Sequence, residues 1–275
     1  MSEELFPTEP EARQRIVSCR PISFTSESIH GIEKGLKSQT RRVIYPQPEG
    51  AIEPHPEKVG RWRRVQEADH PADEDLSPGT PPDGPLWKCP YGVPGDRLWT
   101  REIWARVEPY STPRTKTCPQ GPRQNPDVLE KYDLPIAWRV EKDPALLEFW
   151  RKRVIYLADF PGKEPQECGR GASDNKWRSP VTMPRWASRH LLEVVQVRAE
   201  RVQEITEEDA RAEGVEFRKI SGRRIHFRNY TPRLIEFDCY TAVDSYRTLW
   251  DAINGRKNPW AANPWAWPIT FRRLP

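Results

Sequence analysis

Leu191-Leu192-Glu193-Val194-Val195-Gln196-Val197-Arg198-Ala199-Glu200-Arg201-Val202 decides the fold. In an extended chain Leu191, Glu193, Val195 and Val197 fall on one side, and Leu192, Val194, Gln196 and Arg198 on the other. Apolar residues on both sides mark a central strand rather than an edge. Moving toward the C-terminus, Thr206 opens a short helix, with Asp209 three residues on as a variant of the capping box, and Gly214 ends it. Residues 217–237 are basic and aromatic and read as an inserted hairpin. A helix is expected from Asp238 or Thr241 through Ile253, on the stripe Val243, Tyr246, Leu249 and Trp250. Trp265, Trp267, Ile269 and Phe271 alternate strictly and give a closing strand.

Moving toward the N-terminus, residues 161–180 read as a loop, and 136–140 with 154–158 as a hairpin pair. Residues 108–134 are Pro-rich and loop-like. Residues 97–106 read as one strand carrying Leu98, Trp99, Ile103 and Trp104, after the turn Val93-Pro94-Gly95-Asp96. The Pro, Glu, Asp and Gly of 48–85 predict an irregular insertion. Residues 26–34 form a short helix on Ile29, Ile32 and Leu36, with Gly35 at its C-terminal cap. Lys37 through Ile44 then turns into a strand that stops at Pro46. Part of 15–24 is a first strand. Short strands, few helices and long connections favour an α+β chain built on a small barrel over a doubly wound sheet. We expect residues 1–14 to be a tail and 15–275 a single domain, with insertions at about 48–85, 108–180 and 217–237.

Composition fits that reading. The 275 residues are polar, with 36% hydrophobic and 31% charged, but 12 Trp, 8 Tyr and 8 Phe supply a core, since each buried aromatic removes about 150–250 Å² from water. The 30 Pro lie mostly between the periodic segments, which predicts stiff loops rather than global disorder. A net charge of +4 permits a nucleic-acid partner without demanding one. The five cysteines are odd in number and lack CxxC spacing, and no long apolar run occurs, so a reducing cytoplasm is the expected location, with no membrane partner. His30, His55, His70, His190 and His226 have no partner at metal-ligand spacing, so no metal or other cofactor is expected. His55 and His70, inside the first insertion, are expected to be exposed. No glycine-rich phosphate loop is present, which argues against a P-loop nucleotide hydrolase.

Several blocks, in order, resemble the ASCH family, relatives of the PUA fold. Gly35-Leu36-Lys37-Ser38-Gln39-Thr40-Arg41-Arg42 resembles its G-x-K-x-x-T-x-R signature after a helix. Pro94-Gly95-Asp96-Arg97-Leu98-Trp99 resembles its G-D turn into a strand, and Ile205-Thr206-Glu207-Glu208-Asp209-Ala210-Arg211-Ala212-Glu213-Gly214 its later helix. Met183-Pro184-Arg185-Trp186-Ala187-Ser188-Arg189, Leu249-Trp250-Asp251-Ala252-Ile253-Asn254-Gly255 and Asn263-Pro264-Trp265-Ala266-Trp267 look like the larger phage and prophage versions. The resemblance implies a small PUA-like β-barrel with a cleft beside the first helix, in a bacterial host cytoplasm. It also implies association with nucleic acid. One small bacterial branch hydrolyses the amide of N4-acetylcytidine, and its catalytic Lys, Thr and Glu fall on Lys37, Thr40 and Glu213. Arg42 matches the basic residue closing the motif.

Amide hydrolysis needs a nucleophile, a proton shuttle and a group that stabilises the oxyanion. Lys37 acts as base or nucleophile only when neutral, so its pKa must fall from about 10.4 through burial or neighbouring cations, for which Arg41 and Arg42 are at hand. Glu213, if ionised, works the other way, unless the two share a proton and titrate together. Thr40 is either the activated hydroxyl or a donor that orients the carbonyl. Lys37 and Thr40 face opposite sides of a regular strand and converge only if the segment after Gly35 is a turn. Ser38, Arg41, Arg42, Glu102, Arg185 and Trp186 are the candidate substrate contacts. Asp96 reads as a turn residue, and Trp99, Trp104, Trp265 and Trp267 as core. The clusters at 61–64, 185–190 and 218–228 mix Arg with aromatics, as phosphate and base contacts do. The reading is therefore a hydrolase of N4-acyl cytosine, on a modified nucleoside or single-stranded nucleic acid. The alternatives are a non-catalytic RNA, DNA or modified-base binding module, and a metal-independent ribonuclease.

Overall fold

Leu191–Val197 (β9) lies between Arg97–Arg101 (β6) and Trp265–Arg273 (β14), antiparallel to both. A computed structural model of the chain describes residues 17–65, 85–106, 154–168, 176–220, 224–231 and 236–275. Cys19–Ser23 (β1) runs parallel to β6 at one edge. Glu200–Arg201 (β10) pairs with the start of β14, and Gln39–Val43 (β2) pairs along its other side. The six strands form one sheet curled into a half-barrel. Residues pointing to its concave side are almost wholly buried: Ile22, Leu98, Leu192, Val194, Trp267, Ile269 and Phe271. Val195, by contrast, is half exposed, so β9 is covered fully on only one face. The fold is thus mixed, with many strands and few helices.

Ser26–Glu33 (α1) closes the concave side. Thr25 Oγ1 accepts the Ser28 N–H at the start, and Ile29 and Ile32 point into the core. Each buried isoleucine is worth about 1.5–3 kcal/mol, which offsets the weak intrinsic stability of a two-turn helix. Gly35, at φ 69°, turns the chain out of the helix in the left-handed conformation that glycine adopts without strain.

The expected irregular insertion after residue 48 is partly ordered. Ile52–Pro54 (β3), Arg61–Arg64 (β4) and Trp87–Lys88 (β5) form a small sheet. Trp62 packs edge-on against Trp267 at 4.5 Å between ring centres, so this insertion extends the core. Its Pro and Glu content hid two short strands whose inward residues are Ile52 and Trp62. His55, expected to be exposed, is buried, because its Nδ1 accepts the N–H groups of Glu57 and Lys58 in the turn between β3 and β4.

The strand expected over 97–106 breaks in two. At Glu102 the chain leaves the sheet, and Trp104–Arg106 (β7) pairs with Val154–Tyr156 (β8) instead. Residues 136–140, the partner expected for that stretch, lie outside the described residues, as do His70, the 1–14 tail and most of the 108–180 insertion.

Glu207–Ala212 (α2) starts at the Thr206 cap, whose hydroxyl accepts the Asp209 N–H. Phe217–Ile220 (β11), Arg224–Asn229 (β12) and Glu236–Cys239 (β13) form a three-stranded sheet, one strand more than a hairpin. Thr241 then caps Ala242–Asn254 (α3). The Glu207 carboxylate accepts the first two N–H groups of α3, from Ala242 and Val243, at 3.0 and 3.1 Å. This ties α2 to α3. Among the described residues no helix is long and apolar enough to cross a membrane.

Candidate active site

The irregular residues between α1 and β2 bring Lys37 inward. Its backbone N–H bonds the Gly31 carbonyl, and the next N–H, of Ser38, bonds Ala212 at the end of α2. The Lys37 side chain is buried and passes between two glycines. A Cβ added to Gly31 would lie 3.1 Å from Lys37 Cβ, and one added to Gly214 would lie 3.0 Å from it. Hydrogen at both positions leaves the stem its path, and a Cβ at either would press on it by a few tenths of an ångström.

At the end of that path Lys37 Nζ donates to the Glu213 carbonyl at 2.5 Å and to its carboxylate Oε2 at 3.1 Å. Glu213 is the C-terminal cap of α2 and is itself buried. An acid at a helix C-terminus opposes the dipole, and here Lys37 answers both the carboxylate and the terminal carbonyl. Burial is the strongest influence on Lys37 and lowers its pKa from the ordinary lysine range. The Glu213 charge and hydrogen bond oppose the lowering, while Arg42 and Arg41 add to it.

Arg41 meets three carboxylates through its two terminal nitrogens, while its buried Nε has no partner among the described residues. Its guanidinium lies 2.8 Å from Asp209, 3.3 Å from Glu200 and 3.4 Å from Glu213. It therefore braces β2 against α2 and steadies the Glu213 carboxylate. Arg42 points elsewhere. One nitrogen donates to the Ser23 carbonyl, the guanidinium sits over the rings of Phe24 and Tyr91, and its buried Nε has no partner among the described residues.

Lys37, Thr40, Arg41, Arg42 and Glu213 all line one cleft of about 970 Å³ beside α1. Its far wall is formed by the β11–β12–β13 sheet and α3, which contribute Phe217, Arg218, Phe227 and Tyr246 among others. Leu36, Phe217 and Ile253 at its margin are about half exposed or more, giving an apolar rim. No protein-family model, curated protein or solved structure matches the chain.

The structure brings together the three residues named for catalysis, Lys37, Thr40 and Glu213, and two of the six named for substrate contact, Arg41 and Arg42. The other four do not line the cleft. Ser38 is exposed and serves the backbone: its N–H and carbonyl bond Ala212 and Phe271. Glu102 is 1% exposed and takes a two-pronged ion pair from Arg189, at 2.8 Å from each carboxylate oxygen. Arg189 also reaches Asp159 and Glu33, so Glu102 belongs to a structural network on the opposite flank of α1. Arg185 and Trp186 sit in a single 3-10 turn beside that network. Trp62, Trp99, Trp104, Trp265 and Trp267 are core. Asp96 accepts the N–H groups of Ser18 and Val93 and holds a turn.

Sequence reasoning missed Tyr246 and the two glycines that flank Lys37, whereas the 218–228 cluster named for phosphate and base contact does reach the cleft through Arg218, Phe227 and Arg228. A glycine inside a helical pattern, as Gly31 is, costs about 1 kcal/mol against alanine and was the one signal available. Tyr246 was hidden because its spacing marks an ordinary buried helix face.

Proposed function

We propose that this chain hydrolyses the exocyclic amide of an N4-acylated cytosine, borne on a nucleoside or on single-stranded nucleic acid. The observation that carries the reading is the buried Lys37 held on the Glu213 carbonyl and carboxylate, on the lining of a cleft shared with Thr40. These are the positions that the ASCH resemblance singles out, and the curled half-barrel sheet is compatible with a PUA-like barrel.

In the proposed reaction neutral Lys37 removes the Thr40 hydroxyl proton as Oγ1 bonds to the acyl carbon. The bond from the acyl carbon to N4 breaks, and the lysine proton passes to N4 of the departing cytosine. Water, activated by the same lysine, then cleaves the threonine ester and releases the carboxylic acid. Glu213 positions Nζ through its carbonyl and carboxylate. Incubating wild-type and Lys37→Ala protein with N4-acylated cytosines and cytidines, with products separated by chromatography, tests the reading. Lysine-dependent release of cytosine or cytidine is expected; equal release by both proteins, or none from either, overturns it.

A second reading is a binding module for single-stranded nucleic acid. Arg42 and Arg218 line the cleft, and neither has a carboxylate partner among the described residues, while Phe217 is exposed beside them. Cations without counter-charge suit phosphate, and an exposed ring suits a base. That reading expects affinity for single-stranded RNA or DNA that falls steeply between low and moderate salt, with no product formed.

A further inference from the structure

Tyr246 stands one turn into α3. Its ring lies 6.3 Å from the ring centres of both Trp250 and Trp260, and the Arg41 guanidinium carbon is 5.9 Å from its centre. These contacts fix the ring but leave the hydroxyl unaccounted for. Tyr246 is 4% exposed, and among the described residues no hydrogen bond reaches its oxygen, which is not one of the fully enclosed atoms left without a partner and so keeps some exposure where the residue lines the cleft. A tyrosine hydroxyl on a residue this enclosed ordinarily has a protein partner. In this chain the Tyr156 hydroxyl donates to the Ala187 carbonyl at 2.6 Å, and the Tyr230 oxygen accepts the Glu216 N–H at 2.9 Å. Tyr246 differs from both, and it lines the same cleft as Lys37, Thr40 and Glu213.

Two further features suit the hydroxyl to a ligand. Its place relative to Glu213 is fixed, because Glu207 of α2 holds the start of α3 through Ala242 and Val243. Burial and the Glu213 charge, against Arg41 and Arg42, hold the phenol well above its ordinary pKa, so it keeps its proton and is a donor. A cleft that offers an unpaired donor as well as a lysine base has the two groups that acyl transfer requires: one at the attacking side and one at the oxygen where charge develops.

We infer that Tyr246 donates a hydrogen bond to the carbonyl oxygen of the scissile acyl group and stabilises the oxyanion formed on attack. The inference rests on the amide-hydrolase reading and adds to it a specificity. The acyl carbonyl faces α3, so an N4-acyl base is recognised and an N4-alkyl base, which has no oxygen there, is not.

The test is Tyr246→Phe, which keeps the ring and removes only the unpaired hydroxyl. With N4-acetylcytidine the expected result is a fall in kcat of about 10²–10³-fold, with KM changed by less than about threefold and an unchanged unfolding midpoint. A lowered midpoint with kcat intact would assign the hydroxyl to structure and overturn the inference while leaving the hydrolase reading standing. If the wild-type protein turns over no acylated cytosine, the hydrolase reading falls and binding decides the role of Tyr246. Affinities of wild-type and Tyr246→Phe protein for N4-acetylcytidine and N4-methylcytidine are then measured by calorimetry. About tenfold weaker binding of the acetyl compound alone sustains the carbonyl contact. Equal affinities in the two proteins, including no binding by either, overturn it.

Discussion

Lys37 Nζ lies 2.5 Å from the carbonyl oxygen of Glu213 and 3.1 Å from its carboxylate, with both side chains buried. The carbonyl is the end of a helix and the lysine comes from a turn 176 residues earlier in the chain. The pair therefore fastens α2 to the segment between α1 and β2, and it sets the position of Lys37 Nζ.

Replacing Lys37 with Met separates these roles. Methionine retains most of the stem that passes between Gly31 and Gly214 but leaves the Glu213 carboxylate facing only Arg41, at 3.4 Å. Losing one partner of a buried charged group costs about 1–3 kcal/mol when another remains. Urea denaturation should therefore show a lower midpoint with an unchanged slope. The variant should stay folded and hydrolyse no N4-acylcytosine.

The pH dependence follows from the lowered Lys37 pKa. Between its folded value and the unfolded value of about 10.4, the unfolded chain holds one proton more than the folded chain. Stability from this group must then rise with pH across that window, and the penalty of burying the ammonium applies in full below it. Tyr246 has the opposite sign, since its raised pKa makes stability fall once the unfolded phenol ionises near about pH 10. Denaturation of wild-type and Lys37→Met protein at intervals from pH 7 to about 10 should give a difference that shifts in favour of wild type as pH rises. A constant difference would mean that Lys37 stays charged. The rate of hydrolysis should climb over the same range, because only neutral lysine accepts a proton.

Glu102 gives a contrasting expectation. Its carboxylate is buried against Arg189 and holds the chain where the strand breaks between β6 and β7. Glu102→Gln leaves Arg189 with Asp159 and Glu33 and should cost about 1–3 kcal/mol. Because Glu102 lies outside the cleft, the kcat and KM expected under the proposed hydrolase function should be unchanged in the folded protein, and thermal denaturation beside steady-state kinetics checks both halves.

Elements fixed by local pattern were legible in the sequence. The alternation of Trp265, Trp267, Ile269 and Phe271 gave the closing strand, Thr206 gave one helix start and the pair Asp238 or Thr241 the other, of which Thr241 is the cap, and Gly35 and Gly214 gave two helix ends. Elements that depend on distant partners were not legible. The break at Glu102 follows from Arg189, 87 residues away, and β4 is a strand because Trp62 meets Trp267. At the site, residue types supplied Lys37, Thr40 and Glu213 only with the help of resemblance. Which arginine meets carboxylates and which meets a carbonyl and aromatic rings depends on side-chain direction along β2, and no periodicity records that.

The two glycines beside Lys37 allow the packing argument to be tested without touching a charged group. Gly31 lies in α1 with helical backbone, where alanine is favoured by about 1 kcal/mol. Its Cβ would come 3.1 Å from Lys37 Cβ, tighter than ordinary contact, so the lysine must shift by a few tenths of an ångström. Gly214 has φ +83° and a Cβ there would lie 3.0 Å from the same atom, so alanine meets both the contact and a left-handed backbone costing about 1–2 kcal/mol. Gly31→Ala should thus keep its unfolding free energy within about 1 kcal/mol of wild type. Because a misplaced catalytic group loses rate steeply, it should also lose about tenfold or more in kcat. Gly214→Ala should lose both activity and stability. If Gly31→Ala is fully active, the lysine stem has room to spare, and the close passage between the two glycines does not position Nζ.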